Sequence, residues 1–202
     1  MARIFEHWRE AFRKSRVAFL GLLLIGLLLG AIALAGTAVV VESTSTLEFC
    51  TSCHEMEAFV FQEYKETHHY QNRTGVRAEC SDCHVPKPPL AKMARKIRAT
   101  FTEVPGHFLG RIDTREKFEA HRLTMAERVW AEMKANDSRE CRDCHDREAM
   151  LMDKQRPRSR NQHESAIASG ETCIDCHKGI AHKKPTLPED EASEEEETDF
   201  SL

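Results

Sequence analysis

The 202-residue sequence predicts an all-α protein with extensive loop and one N-terminal transmembrane helix. Three observations lead to this fold class. Residues 17–41 are 25 consecutive uncharged and mostly apolar residues, a later segment has helical periodicity, and no segment shows the apolar–polar alternation of a half-buried strand. We therefore expect helices joined by loops behind a single membrane anchor.

The N-terminal residues predict that anchor. Residues 17–41 exceed the roughly 20 apolar residues that a helix needs to cross a hydrocarbon core of about 30 Å. Five basic residues lie in 1–16, so by the positive-inside rule this tip stays in the cytoplasm and the rest of the chain lies across the membrane. A cleaved signal peptide is the alternative, but its apolar region is usually shorter. Gly26 and Gly30 have the spacing at which membrane helices pack closely, which leaves a homodimer open.

All eight cysteines fall into four copies of the pattern Cys-x-x-Cys-His. The copies are Cys50/Cys53/His54, Cys80/Cys83/His84, Cys141/Cys144/His145 and Cys173/Cys176/His177. In this pattern two thiols add to the two vinyl groups of one porphyrin and the histidine ligates the iron. Zinc ribbons, thioredoxin-like sites and structural disulfides do not require a histidine after every second cysteine. The sequence therefore predicts a cytochrome c domain with four covalently bound haem c groups.

The spacing of the motifs predicts how this domain is organised. They begin at residues 50, 80, 141 and 173, which indicates two di-haem halves, at about 42–105 and 136–188, joined by a helical insert. A tetrahaem domain of 42–188 is too small for a conventional aliphatic core, so the porphyrins are expected to supply much of its buried apolar surface. Residues 189–202 hold eight acidic and no basic residues. They predict a solvated, disordered tail, with docking to a basic partner as the alternative.

Helices are predicted within the insert and on both sides of it. After a proline-rich break, a helix from about Leu90 to Thr100 carries basic residues on one side, which is either a solvated face or a face at the membrane surface. A longer helix from about Thr114 to Ala135 begins at a capping box in 113–116. Residues 137–140 resemble the cap of a short helix that enters the third haem motif.

Each iron also needs a ligand on its second face. Six histidines beyond the anchor lie outside the motifs: His68, His69, His107, His121, His163 and His182. Sequence position favours His69, His163 and His182, which would serve beside the motif histidines His84, His145 and His177. The fourth is open among His68, His107, His121 and another subunit.

The first motif differs because Met56 lies two residues beyond its histidine. A thioether at this position could bind the iron in place of His54 and leave the other face of the haem open. Core packing is the alternative role for Met56.

At these residues the chain resembles the NapC/NirT family of membrane-anchored tetrahaem quinol dehydrogenases. The resemblance extends from the anchor to about Pro185 and is closest to the branch that serves periplasmic nitrate reductase. It is carried by CTSCHEM from Cys50, HYQNRTGV from His69, CSDCHVP from Cys80, GRIDTREKFEAHR from Gly110, NDSRECRDCH from Asn136 and TCIDCHKGIAH ending at His182.

The resemblance implies an enzyme of the inner membrane that oxidises quinol and is not itself the terminal reductase. Menaquinol or ubiquinol from the membrane pool would give up two electrons and two protons beside the first haem. The haem domain would lie in the periplasm and pass electrons to a periplasmic reductase or its cytochrome subunit, most closely nitrate reductase, in anaerobic nitrate respiration or denitrification.

The resemblance also implies two kinds of site residue. In relatives of known architecture a methionine matching Met56 binds the first haem, although ligation by histidine has also been argued for this branch. The quinol site there uses a lysine and a carboxylate seven residues later. Lys96 and Glu103 match that spacing, with glutamate where the family commonly has aspartate.

Two other functions remain open on the sequence. A pure electron carrier reduced by another membrane protein would have no quinol site, and the Lys96–Glu103 spacing argues against it. A terminal reductase of a small oxyanion would need an open haem, and three available distal histidines argue against that. No basic stripe with interleaved aromatic residues indicates binding to nucleic acid.

Overall fold

The computed structural model describes residues 2–187, so the tail predicted at 189–202 lies outside the described residues. Within that range no strand occurs, and the predicted all-α class with extensive loop is confirmed. The helices are α1 Ala2–Ser43, α2 Leu47–Cys50, α3 Phe61–Lys65, α4 Cys80–His84, α5 Pro89–Phe108, α6 Arg115–Ala135, α7 Arg139–Arg142, α8 Pro157–Ser169 and α9 Cys173–Cys176. A π-helical turn covers Met56–Val60 and a 3₁₀ turn covers Met152–Lys154.

The chain divides into two compact units, Met1–Thr44 and Ser45–Leu202. The first unit is essentially α1. Its segment Arg13–Ser43 is long and apolar enough to cross a membrane, and none of that stretch is buried inside the protein. A span whose apolar side chains face outward is what a lipid-embedded helix requires, because lipid replaces the protein core around it.

Helices α4 and α9 begin at the first cysteines of the second and fourth motifs. The third residue of each helix is an aspartate that accepts a hydrogen bond from the cap residue's amide: Asp82 from Glu79 at 2.8 Å and Asp175 from Thr172 at 2.9 Å. Each helix has both halves of a capping box. The i, i+3 spacing of the cysteines then places both sulfurs on one helix face, as attachment to a single porphyrin requires.

Helix α5 extends eight residues beyond the predicted end at Thr100, to Phe108. Pro89 at its first turn is favourable, because the missing amide hydrogen would have no partner there. Pro105 lies in the last turn, where the hydrogen bond that it lacks is the one from its own position to the preceding turn. The helix continues because proline disrupts the hydrogen bonding of the preceding turn only.

Helix α6 confirms the predicted insert helix to within one residue. The cap is Thr114, whose hydroxyl accepts a hydrogen bond from the Lys117 amide at 3.3 Å, so the predicted box at 113–116 is replaced by a simple cap. At its C-terminal end α6 packs against α9, where Lys134 Nζ lies 2.7 Å from Asp175 Oδ1. The insert therefore supports the fourth haem motif.

Helix α7 enters the third motif as predicted, but Ser138 does not cap it. Ser138 is fully buried in a left-handed conformation with φ of 48°, and its hydroxyl accepts a hydrogen bond from the Ile174 amide at 3.1 Å. Asn136 Oδ1 accepts from the Arg139 amide at 3.0 Å instead. Ser138 thereby joins the third motif to the fourth.

The apolar core is small. Among the described residues, the buried apolar side chains are Phe59, Tyr64, Phe118 and Ile174. The rings of Phe59 and Phe118 lie 5.2 Å apart between centroids. So few buried side chains cannot offset the conformational entropy of a domain of this size, which agrees with the expectation that haem supplies the remaining apolar surface.

Candidate haem centre

Each motif histidine lies beside one histidine from outside the motifs. The distances between ring centroids are 6.2 Å for His84–His182, 6.2 Å for His145–His69, 5.9 Å for His177–His163 and 5.9 Å for His54–His107. Two imidazoles that bind one iron through metal–nitrogen bonds of about 2 Å have centroids roughly 6 Å apart. The four pairs therefore fit the spacing of two imidazoles on one haem iron.

The cysteines of the motifs differ in how far the protein covers them. Cys144 and Cys176 are exposed, whereas the other six are half-buried. Cys144 also lies outside a helix, because α7 ends at Arg142 and the third motif continues as a turn. In that turn the amides of Cys144 and His145 donate to the Cys141 carbonyl at 3.2 and 2.8 Å.

Cys144, like Cys176, lies where a bound haem could cover it. The structure places this thiol at the surface, and it lacks the helical frame that holds both cysteines of the second and fourth motifs. The physical reason is the shortness of α7, which leaves the second half of the third motif beyond the helix end. Attachment of haem through Cys144 stays a prediction that rests on the motif spacing.

The His84–His182 pair joins the second motif to the end of the described chain. Burial lowers the pKa of His84 to about 4 and also lowers the pKa of His182. Both rings are therefore neutral near pH 7, which is the form that ligates a metal. The backbone beside His182 is held by Glu63, whose Oε2 accepts a hydrogen bond from the Lys183 amide at 3.0 Å.

His69 is held near the third motif by its own backbone. Its carbonyl oxygen accepts hydrogen bonds from the Ala78 amide and from the Tyr64 hydroxyl, both at 3.0 Å. Burial raises the pKa of Tyr64 to about 12, so this hydroxyl remains a donor at neutral pH. The loop that carries His69 is thereby fastened to the buried end of α3.

The ring of His163 is oriented by the side chain of Gln155. Its Nδ1 lies 2.6 Å from Gln155 Oε1, so the ring donates there and leaves Nε2 available beside His177. Metal-binding histidines commonly donate their second ring nitrogen in this way, which fixes the tautomer and the ring direction.

The pairs do not follow chain order. His69 precedes the second motif but lies beside the third, and His182 follows the fourth motif but lies beside the second. The motifs themselves are adjacent in sequence order: α2 contacts α4, α4 contacts α7, and Ser138 joins α7 to α9. Four haems attached here would form a continuous chain.

The remaining histidines of the open set differ from His107. His68 is exposed. His121 is also exposed, and its Nδ1 donates to the Lys117 carbonyl of its own helix at 2.8 Å. Neither ring is paired with a motif histidine among the residues that the structure describes.

The first motif has a different local structure. Its first cysteine ends α2, and Met56 begins the π-helical turn, a form that occurs mostly as single turns at functional sites. The His54 ring is exposed, and its Nε2 donates to the Asp113 carbonyl at 3.1 Å. Met56 is partly buried, and the choice between Met56 and His54 as iron ligand stays a prediction.

Glu55, between His54 and Met56 in the sequence, is a site residue that sequence reasoning missed. It is 2% exposed, and its two carboxylate oxygens lie 2.7 and 3.0 Å from Nδ1 of His107. Burial by itself raises the pKa of Glu55, but hydrogen bonds from its own amide and from His107, with the charges of His54 and His107, make the net shift downward. Glu55, His107 and Cys53 bring their possible ligand atoms within 4.8 Å of one another.

Helix α5 brings Lys96 and His107 toward this motif. Lys96, Glu103 and His107 are spaced seven and four residues apart, which puts them on one helix face. Lys96 Nζ lies 6.0 Å from the centroid of Phe49, the residue before Cys50. Glu103 is largely exposed, and its Oε1 lies 2.8 Å from Arg95 Nη2. The predicted lysine is thus brought to the first motif, while the predicted carboxylate pairs with a neighbouring arginine.

Comparison with known proteins agrees with this arrangement. The family model described as the NapC/NirT cytochrome c family, N-terminal region, matches residues 12–187. The denitrification system component NirT of Stutzerimonas stutzeri is 52% identical over 183 residues, which cover 91% of this chain and 89% of that protein. The cytochrome c-type protein NapC of Escherichia coli K12 is 49% identical over 187 residues, 93% of this chain and 92% of that protein.

A third relative, from Allochromatium vinosum, is named as a tetraheme cytochrome-c type protein. It is 44% identical over 185 residues, which cover 92% of this chain and 98% of that protein. No solved structure matches the chain significantly.

Proposed function

The chain belongs to the NapC/NirT cytochrome c family, and we propose that it oxidises membrane quinol beside its first haem and passes the electrons to a periplasmic reductase. Family membership and the apolar α1 make it a c-type electron-transfer cytochrome with a single-pass anchor in the inner membrane. The proposal adds the quinol site, the orientation with residues 1–16 in the cytoplasm and the haem domain in the periplasm, and the partner.

We propose that the irons of three haems are held by His84 with His182, His145 with His69, and His177 with His163. The ring distances and the neutral state of His84 and His182 support these assignments. When bound, each haem supplies one-electron redox chemistry that the side chains of the protein lack. The first haem has Met56 or His54 as its ligand from the motif side.

The observation that carries the quinol proposal is the position of Lys96 beside Phe49 and the first motif. Quinol oxidation releases two electrons and two protons. An ammonium group can donate a hydrogen bond to a quinol oxygen and stabilise the negative charge that develops as the proton leaves. Glu103 lies two helical turns further along the same face, about 10.5 Å along the axis, and its exposed carboxylate can pass a proton to water.

A second face of α5 supports access from the membrane. Its apolar side chains are strongly exposed, with Leu90 at 88%, Phe101 at 75% and Phe108 at 81%. Ile97 and Val104 are also exposed. These five residues recur at helical spacing on one face of α5, and we call them the apolar stripe. An exposed apolar stripe on a helix rich in lysine and arginine has the character of an interfacial helix. We infer that the stripe contacts lipid, from which quinol would arrive.

The names of two relatives support the proposed electron acceptor. One is a denitrification system component and another is a NapC protein, so a periplasmic reductase of nitrogen oxyanions, most closely nitrate reductase or its cytochrome subunit, is the proposed partner. The adjacency of the four motifs supports electron flow from the first haem to the fourth.

The experiment is stopped-flow reduction of the purified full-length protein by a water-soluble quinol analogue. Reduction of all four haems without any other protein is the expected result. Failure of reduction, with haems that a strong chemical reductant still reduces, would contradict the quinol site and support the alternative of a pure electron carrier reduced by another membrane protein.

A further inference from the structure

We propose that His107 is an axial ligand of the first haem iron through its Nε2, and that the buried carboxylate of Glu55 positions it. The other ligand is the one left open above, Met56 or His54. The inference rests on haem attachment at the first motif and does not depend on quinol oxidation, so the two can fail separately.

The first observation is the position of the His107 ring. Its centroid lies 5.9 Å from that of His54, within the 5.9–6.2 Å range of the three other pairs of motif and non-motif histidines. Helix α5 brings the ring there from 53 residues further along the chain, at the end of the face that also carries Lys96 toward the first motif. The first haem thus has a second imidazole available, as the other three have.

The second observation is the tautomer that the structure imposes on His107. Its Nδ1 donates to Glu55 at 2.7 Å, and no hydrogen bond engages its Nε2 among residues 2–187. His163 has the same arrangement, with Nδ1 on Gln155 at 2.6 Å. A carboxylate at this position also makes the imidazole a stronger electron donor to a metal than an amide oxygen does.

His54 has the opposite arrangement. Its Nε2 donates to the Asp113 carbonyl at 3.1 Å, and its Nδ1 lies 3.4 Å from Glu55. Both ring nitrogens of the motif histidine are therefore in contact with oxygen atoms, while His107 keeps one free. Of the two imidazoles at the first motif, His107 is therefore the one whose Nε2 is available to bind iron.

The third observation is the burial of Glu55. Burial of a carboxylate that is 2% exposed is unfavourable unless charged or hydrogen-bonding groups compensate it. His107 provides two short contacts, and its ring is tilted against Phe108 at 5.3 Å between centroids. A buried acid is retained here because it fixes one histidine ring, which is a positioning role.

The test uses oxidised full-length protein and low-temperature electron paramagnetic resonance with magnetic circular dichroism, which report the spin state and ligands of each haem. With His107→Ala we expect one haem in four to change from low-spin to high-spin, and added imidazole to restore the low-spin signal. With His107→Met the same haem should stay low-spin and gain the charge-transfer band of a thioether ligand. Haem content, measured separately, should remain four per chain.

The matched control is His121→Ala, which removes an exposed histidine whose Nδ1 bonds to its own helix. Its spectrum should equal that of the unmodified protein. If the His107 variants also leave every spin state and g value unchanged, or if the unmodified protein already has one high-spin haem that they do not alter, the proposal is wrong.

Glu55→Gln tests the positioning role. The amide keeps the size of the side chain but weakens the hydrogen bond at Nδ1, so four haems should remain low-spin while the reduction potential of one of them rises. The control is Glu127→Gln, an exposed residue of α6, which should leave all four potentials in place. An unchanged set of potentials in Glu55→Gln would overturn the role of Glu55.

Discussion

Arg122 and Glu63 form a bidentate ion pair. Both residues are buried, and they lie 59 positions apart in the sequence. The Arg122 Nη2 atom lies 2.6 Å from Glu63 Oε1, and Nη1 lies 2.9 Å from Oε2. The same carboxylate accepts the Lys183 amide, next to His182. The pair therefore connects α6 and α3 to the segment that carries the second iron's proposed ligand.

Arg122→Ala should destabilise the protein by up to about 3–5 kcal/mol, because the buried Glu63 carboxylate is then left with the longer 3.7 Å ion pair to Arg115. Calorimetric or denaturant unfolding of the haem-loaded protein measures this change. Arg128→Ala, at an exposed position of the same helix, should change the unfolding free energy by less than about 0.5 kcal/mol. Equal effects of the two substitutions would contradict the importance of the pair.

The acid stability of the protein should depend on Glu63. Burial raises the pKa of this carboxyl, but the hydrogen bond and charge of Arg122 and the amide of Lys183 give a net downward shift. A lowered pKa in the folded state stabilises the protein above the ordinary glutamate pKa of about 4.3, and this stabilisation is lost as the pH falls through the lower folded value. Unfolding free energies measured from pH 7 to pH 3 should fall less steeply in Glu63→Gln than in the unmodified protein. Parallel curves would contradict the shift.

Lys96→Gln should slow reduction by a quinol analogue by at least about tenfold, since the hydrogen bond to the developing oxyanion loses its charge. Glu103→Gln should slow it as well, by removing the carboxylate that receives the proton. Stopped-flow absorbance measures both rates, and haem spectra should not change. Lys154→Gln, in the exposed 3₁₀ turn, is the control. Rates like those of the unmodified protein in both variants would remove these residues from the quinol site.

The apolar stripe should matter only when quinol arrives through lipid. Phe101→Ser with Val104→Ser should lower the rate with a long-chain quinol in proteoliposomes, because the stripe loses apolar area for the bilayer. The rate with a water-soluble analogue in detergent should stay constant. Replacement of both residues by leucine should preserve both rates, and a loss with the soluble analogue as well would point to a folding defect in place of a membrane contact.

Ser138→Ala should cost about 1–3 kcal/mol of stability, because the buried Ile174 amide loses its acceptor. Thermal unfolding measures the loss. Ser169→Ala, which removes an exposed hydroxyl that bonds only within α8, should have little effect. If Ser138→Ala is as stable as the unmodified protein, the link between the third and fourth motifs does not contribute to the fold.

The sequence was sufficient for features that depend on local patterns. The haem motifs, the apolar span and helix α6 are set by residue spacing over a few turns, and their interpretation needed no tertiary contacts. The predicted end of α5 at Thr100 was too early. The helix continues through Pro105 to Phe108, because a proline near a helix end removes one hydrogen bond without ending the helix. The sequence also did not predict that the first and third motifs continue past the end of their helices, since the four identical motifs give no sign of this difference.

The pairing of histidines was beyond the sequence for a physical reason. His182 and His84 are far apart in the chain, and what brings them together is the buried contact of Glu63 with Arg122 and Lys183, which no local pattern contains. His107 was one of several open candidates because its partner, Glu55, is distinguished only by burial. The only sequence signal for this contact was a carboxylate directly after the motif histidine, and such a residue is too common to indicate a hydrogen bond to one particular histidine.

The exchange of histidines between distant parts of the chain imposes an order on biosynthesis. A chain that crosses the membrane in the order of synthesis delivers the second haem motif long before His182, so an iron held by His84 and His182 as proposed would receive its second imidazole only when the last described residues arrive. His69, in contrast, has already arrived when the third motif emerges. A chain truncated before His182 would thus carry a second haem that is covalently attached but lacks this proposed ligand.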